Sequence, residues 1–249
     1  MVVNHGLLSK TVGRLAEIKL AAAITWVPRA NARQFVAFIV DDSTLDSRDL
    51  TILLSQDEKN ITASLKEPVE VRHFVMRRSF QRSFMQKVTG WQGPLSQIPM
   101  HHSRDERAAC ALVPQLSLSF SSSGNIAMAA ATHQRQTGID IERLRAIDNA
   151  EALSTRFFNP LESAYLHSLV KQQQGLEFLR FWTIKEACLK AMGKGIVHGL
   201  ETFVVSVNAE DYSINPPIGF GRPENWSIEL IEVSSAHVAA LACFESVPG

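Results

Sequence analysis

The sequence predicts an α+β protein made of two similar halves carried in one chain. Three observations lead there. Short apolar runs bounded by Gly, Pro, Asn and Ser occur towards both ends of the chain and read as strands. Each group of strands is accompanied by longer stretches in which apolar residues recur at helical spacing. The 249 residues suffice for one large domain or two of about 120, and the pattern of elements starts afresh near residue 135. The expected halves are residues 1–134 and 135–249, in a pseudo-two-fold arrangement.

Residues 22–40 hold two apolar runs, AAITWV and QFVAFIV, separated by PRANAR, a pair of strands joined by a turn. Within the first run, 21–27 reads as a buried strand. Residues 41–66 are polar and mix helix with loop. Over 71–88, Val71, Phe74, Val75, Phe80, Phe84 and Val88 fall at helical spacing with arginines between them. Residues 89–114 are loop-rich, punctuated by Gly90, Gly93, Pro94, Pro99 and Pro114. Residues 116–131 read as two short strands about SSSGN, and residues 137–144, TGIDIERL, alternate as a strand. Asn159-Pro160-Leu161-Glu162 is a helix start, with Asn at the N-cap, Pro at the first helical position and Glu at the third. That helix is expected to reach residue 174. A second is expected from near Leu176 to Gly193, a C′ glycine. Strand-like runs at 203–207, 226–233 and 238–244 finish the chain.

Composition narrows the class. Hydrophobic residues make up 45% and charged residues 20%, enough to bury a core without a metal or disulfide staple. Lys+Arg and Asp+Glu both number 25, which argues against bulk electrostatic binding of nucleic acid. The three cysteines, Cys110, Cys188 and Cys243, are scattered, which suggests a reducing compartment and no zinc site. The apolar run 20–27 is too short to span a bilayer, and no small-residue cleavage site follows it cleanly. A cytoplasmic protein is the expectation.

Two clusters carry chemistry. The first is Gly138-Ile139-Asp140-Ile141-Glu142. In a strand, positions two apart share a face at about 6.5 Å, so Asp140 and Glu142 project together while Ile139 and Ile141 face the core. Paired carboxylates suit a hard divalent ion; read alone, they also suit the solvated face of an edge strand. The second cluster is residues 181–195, FWTIKEACLKAMGKG. Phe181, Ile184, Cys188 and Ala191 form a buried stripe, while Glu186 and Lys190, at i and i+4, share another face. Alone, that pair is a routine helix ion pair. With Lys185 and Lys194 nearby, it also suits a carboxylate for a metal and lysines for phosphates.

GIDIE followed by FWTIKEACLKAMGKG resembles the paired signature of the 4′-phosphopantetheinyl transferases. Arg156-Phe157-Phe158 and Glu162 resemble the segment between the two motifs in that family, and the length with its two-half pattern is similar to the larger surfactin-type subgroup, a pseudo-dimer in one chain. The match is good over roughly 116–200 and loose over 1–70. The resemblance implies transfer of phosphopantetheine from coenzyme A (CoA) to a serine of an acyl, polyketide or peptidyl carrier protein, with release of 3′,5′-ADP. It implies Mg²⁺ held by Asp140, Glu142 and Glu186, with Glu186 as the base for the serine and Lys190 on phosphate. Lys185 is implied to support the CoA site, and Trp182 to be packing. The N-terminal half is implied to hold the 3′-phosphate and adenine side of CoA.

Residues 71–104 contain Arg72, Arg77, Arg78, Arg82, Lys87 and Arg104 and no acidic residue; Arg72 and Arg78 are the candidates there for CoA phosphate. Two departures stand out. The subgroup's Gly-Lys-Pro is absent, with Glu106-Arg107-Ala108 at about its place and Arg107 as the substitute. The subgroup's Ser-His pair, which reaches the 3′-phosphate, is matched by Ser121 and Ser122, and a serine brings no positive charge. His101, His102 and Arg107 are the expected replacements. Phe157, Phe158 and the following helix are the expected docking strip for an acidic carrier. A pseudo-dimer in one chain is expected to be a monomer. The alternative reading is a non-catalytic protein of the same fold that binds CoA or a carrier.

Overall fold

The computed structural model describes residues 5–30, 33–41, 44–100, 113–194, 199–208 and 211–245, with backbone alone over 5–11. Helix α1 (His5–Ala23) leads into β1 (Ile24–Trp26) and β2 (Gln34–Val40). Helices α2 (Ser47–Leu50), α3 (Gln56–Ser64) and α4 (Pro68–Thr89) follow, then β3 (Leu116–Ser123), β4 (Ile126–His133) and β5 (Gln136–Arg143). Next come α5 (Ala150–Phe157), α6 (Pro160–Ser168) and α7 (Lys171–Met192). The chain closes with β6 (Val204–Asn208), β7 (Asp211–Asn215), β8 (Trp226–Ile231) and β9 (His237–Phe244). Every strand pairing among the described residues is antiparallel, so the fold is mixed helix and antiparallel sheet.

The strands form sheets in the orders β1-β2-β4-β3, β5-β9-β8 and β6-β7. Side-chain alternation sorts the first two into layers. On β4, Ala127, Ala129 and Ala131 face α4, while Ile126, Met128 and Ala130 join Ile139, Ile141 and Leu241 between the sheets. On β9, Ala240 and Ala242 face α7. Phe80 and Phe84 of α4 are fully buried, each worth about 1.5–3 kcal/mol.

The sheets meet along β3 and β5, where the chemistry lies. Ser117, Ser119, Ser121 and Ser123 alternate along one face of β3. Three of their hydroxyls accept hydrogen bonds from β5 amides: Thr137 N to Ser117 Oγ at 3.0 Å, Ile139 N to Ser119 Oγ at 2.9 Å and Arg143 N to Ser123 Oγ at 3.0 Å. On the edge of β5 that does not pair with β9, these three amides are thus satisfied by hydroxyls rather than by another strand.

Several boundaries differ from the expectation. The run 21–27 is not a strand throughout: α1 continues to Ala23 and only Ile24–Trp26 is extended, because three alanines favour helix. The helix that starts at Asn159 has the expected capping box with Glu162 but ends at Ser168, and α7 begins at Lys171. Leu169 and Val170 are extended between them. The Gln174 amide donates to the Leu169 carbonyl and to Glu151, tying the corner. The termination at Gly193 is as expected, with φ 67°. Helix α5 and strand β7 were not anticipated.

Candidate active site

Strand β5 and helix α7 build the site, and Gly138 sets their separation. A Cβ on Gly138 would lie 1.9 Å from the Ala187 carbonyl oxygen and 2.5 Å from the Ala191 amide nitrogen. The helix backbone therefore packs directly on the strand, held by the buried stripe of Phe181, Ile184, Cys188 and Ala191. This approach brings the Asp140 face of β5 under the Glu186 and Lys190 face of α7. Gly138→Ala meets backbone rather than a movable side chain. It is expected to cost stability at the upper end of about 1–3 kcal/mol and to lower transfer by displacing Glu186 and Lys190. A thermal melt and a transfer assay on the same sample check this; an unchanged melting temperature would contradict the close approach.

Asp140 is buried. Its Oδ1 accepts from Lys190 Nζ at 2.7 Å and from Ser121 Oγ at 2.8 Å. Lys190 Nζ also donates to the Ile139 carbonyl at 3.1 Å. Asp140 Oδ2 and Glu186 Oε1 are buried and have no hydrogen-bond partner. Burial pushes the Glu186 carboxyl up to about 7, with the Asp140 and Glu142 charges adding to the rise and Lys190 opposing it. Glu142 is half-buried and pairs with Arg145 at 3.2 Å. Two buried carboxylate oxygens without a donor are costly, and a hard cation with oxygen ligands is the partner such a donor set accepts. Among the described residues, no three His, Cys, Asp or Glu side chains are gathered as a closed metal cage.

The structure thus brings Asp140, Glu186, Lys190 and Ser121 together, with Glu142 alongside. Ser121 acts here on Asp140. The alternating serines of β3 were the sequence signal for that contact, and the SSSGN turn obscured it.

Lys185 requires a correction. Its side chain is 0% exposed and points away from Asp140. Its ammonium pairs with Glu162 Oε1 at 2.7 Å and donates to the carbonyls of Leu200 and Phe203 at 2.7 and 2.8 Å. The rings of Phe158 and Phe203 cover it. It joins α7 to the chain before β6, and its ammonium is taken up by these partners. The three-residue offset from the buried Cys188 puts it on the core side of the helix.

Other expected residues lie elsewhere. Arg72 pairs with Asp41. Arg78 pairs with Glu58, which also holds the buried Arg82, so Arg78 is committed to structure. Ser122 faces α4, on the opposite side of β3 from Ser121. Arg107, His101 and His102 lie outside the described residues. Phe158 is buried against Phe178 and Phe181 and so cannot serve as a docking contact. Trp182 packs against Phe157 and Phe178, as expected.

Comparison with known proteins supplies the family. Residues 136–242 match the 4′-phosphopantetheinyl transferase superfamily, a span that contains β5, α7 and every residue of the carboxylate cluster. The 4′-phosphopantetheinyl transferase HetI of Nostoc sp. is 35% identical over 205 residues, 82% of this chain and 84% of the relative. The 4′-phosphopantetheinyl transferase gsp of Aneurinibacillus migulanus is 36% identical over 31% of this chain and 32% of its own. A 4′-phosphopantetheinyl transferase of Bacillus subtilis is 33% identical over 43% of this chain and 47% of its own. With a relative of that identity aligned over most of both chains, and the β5–α7 carboxylate site inside the matched span, this chain belongs to the 4′-phosphopantetheinyl transferase superfamily and is an enzyme of that class.

Proposed function

We propose that the enzyme moves 4′-phosphopantetheine from CoA to a serine hydroxyl of an acyl, polyketide or peptidyl carrier, in a Mg²⁺-dependent reaction that releases 3′,5′-ADP. The observation that carries this reading is the pair of donorless buried oxygens, Asp140 Oδ2 and Glu186 Oε1, beside the Lys190 ammonium. Asp140 and Glu186, with Glu142 at the rim, would hold the ion. When bound, Mg²⁺ supplies positive charge against the pyrophosphate of CoA.

The chain's own groups account for the remaining steps. Glu186, with its carboxyl pushed up to about 7, takes the proton from the carrier serine hydroxyl as the serine oxygen bonds to the phosphorus that bears pantetheine. The bond from that phosphorus to the bridging oxygen breaks, and the electrons leave with 3′,5′-ADP. Lys190 lies beside this position and offsets charge on the leaving phosphate. Its three ammonium hydrogens are divided among Asp140, the Ile139 carbonyl and, on this reading, the phosphate. Ser121 fixes the carboxylate of Asp140 for its task.

The residue-by-half assignment, 1–134 for the nucleotide end of CoA and 135–249 for metal and catalysis, belongs to the same reading. Both α4 and α7 run for 22 residues, end on a left-handed glycine and pack on an antiparallel sheet, which supports a pseudo-two-fold. Carrier docking is assigned to α6, where Leu161 is 70% and Tyr165 37% exposed. A monomer in the cytoplasm completes the reading; no described helix is long and apolar enough to cross a membrane.

The test is intact-mass measurement of an apo carrier protein incubated with this enzyme, CoA and Mg²⁺. A phosphopantetheine-sized gain on the carrier that EDTA abolishes is expected. A gain that persists in EDTA would remove the metal from the mechanism. No gain on fatty-acid, polyketide or peptide carriers would overturn the substrate assignment.

A further inference from the structure

A cavity of about 500 Å³ opens between the last turns of α4, the end of α1 and β1, within the range of small-molecule sites. Two indoles line it, Trp26 and Trp91, and both are fixed by contacts of their own. Trp26 stacks on Phe84 with ring centroids 5.5 Å apart and planes 13° from parallel, and it stays 36% exposed. Trp91 Nε1 donates to the Pro94 carbonyl at 3.1 Å. The Trp91 ring lies so close to Gly93 that a Cβ there would stand 2.7 Å from it. Aromatic surface already held in place takes up a flat ring at little ordering cost.

The polar wall comes from one face of α4. Ser83, Gln86, Lys87 and Gly90 all line the cavity and recur at helical spacing. Two observations set the sign of the charge it suits. Among the described residues, no acidic side chain lines the cavity, and Lys87 brings an ammonium. The carbonyls at this end of α4, which would otherwise draw a cation, already accept hydrogen bonds. Met85 takes the Thr89 hydroxyl at 2.7 Å, Gln86 the Gly90 amide at 3.0 Å and Gly90 the Gln92 side-chain amide at 2.8 Å. Two indoles could also face a cation, but the lysine repels one.

We propose that this cavity binds a planar aromatic acid, with the ring system against Trp26 and Trp91 and the anionic group at Lys87, where Ser83 and Gln86 supply hydrogen bonds. The site is separate from the carboxylate cluster. Thr25, Phe38, Met128 and Ser121 share one row across the first sheet. Strand β1 therefore lies three strand spacings, about 14 Å, from the strand whose Ser121 reaches Asp140. The ligand is a second molecule, bound without displacing anything from the catalytic residues.

Three probes separate the two parts of the proposal: 2-naphthoate, the uncharged 2-naphthamide, and decalin-2-carboxylate, which keeps the charge and loses the flat rings. Calorimetry with the full chain is expected to show 2-naphthoate binding at least fivefold more tightly than either of the others, in the presence of saturating CoA as in its absence. Lys87→Gln, a change at an exposed side chain, is expected to remove the preference for naphthoate over naphthamide while the melting temperature holds. Trp26→Leu is expected to weaken naphthoate at least tenfold and to bring it level with the decalin acid. Trp91→Leu is expected to do the same if Trp26→Leu fails to fold. No binding of naphthoate to the wild type at millimolar concentration overturns the proposal, as does its displacement by CoA. Equal binding of naphthoate and the decalin acid overturns the aromatic assignment. A naphthoate preference that survives in Lys87→Gln overturns the placement of the anion.

Discussion

Glu186→Gln is expected to make the metal-free protein more stable and the enzyme nearly inactive. The Glu186 carboxyl is pushed up to about 7, chiefly by burial, with Asp140 and Glu142 adding to the effect. In the unfolded chain it titrates near its usual 4.5. The folded state therefore holds a proton that the unfolded state has released, and stability falls as pH rises from about 4.5 through 7. The loss is complete above pH 7 and is on the order of 3 kcal/mol. Glutamine mimics the protonated acid, so the variant is expected to recover much of this at pH 8 and nothing at pH 4. In chelator at pH 8 that corresponds to a rise in melting temperature of roughly 4–8 °C. Transfer is expected to drop at least about 100-fold, since the amide takes no proton from serine and is a weaker ligand for a hard cation. Melting curves of both proteins at pH 4 and pH 8, with and without Mg²⁺, decide the matter. Equal melting temperatures at pH 8 would show that Glu186 is not strained in the free enzyme.

Lys185→Met is expected to damage the fold and leave CoA recognition alone. The ammonium and the Glu162 carboxylate are both 0% exposed and 2.7 Å apart. Glu162 also receives the Val205 amide at 2.6 Å and the Asn159 amide at 2.8 Å, so it ties the α6 cap, α7 and β6 together. Removing the lysine leaves a buried carboxylate with two amides and no cation. Losing one partner of such a pair costs about 3–5 kcal/mol, or a drop in melting temperature of about 10 °C. The double variant with Glu162→Gln is expected to regain part of that, because the uncompensated charge is gone. The KM for CoA of the folded fraction is expected to stay within about twofold of wild type, as one buried pair remote from the ligand implies. A normal melt with a tenfold rise in KM would instead put Lys185 on the ligand.

These two residues show how far sequence reading reaches. Lys185 and Glu186 are neighbours in one motif, and the resemblance attached both to the CoA and metal site. Helical geometry separates them by about 100°, and the packing of α7 decided which side each took. Cys188 and Ala191 already marked the core side in the sequence, and Lys185 lies with Cys188 at helical spacing. What hid the answer was the partner: a lysine is buried only with one, and Glu162 is 23 positions away in the chain.

The pattern read along the chain was sufficient for the class of fold, the strand carrying Asp140 and Glu142, the helix carrying Glu186 and Lys190, and the glycine stop at Gly193. All of these depend on residues within a few positions of one another: alternation in a strand, spacing on a helix, a cap and its partner. Tertiary structure decided everything that depended on long-range pairing. It ended α6 at Ser168 through the Gln174 contacts, assigned Glu58 to Arg78 and Arg82, and turned the β3 serines towards the open edge of β5. It also set Arg77 at the wall of a cavity between α4 and the β3–β4 hairpin. Local periodicity states which face a residue occupies, but charge partners are chosen by whatever the fold brings opposite, and that opposition is set by the packing of sheets and helices distant in the sequence.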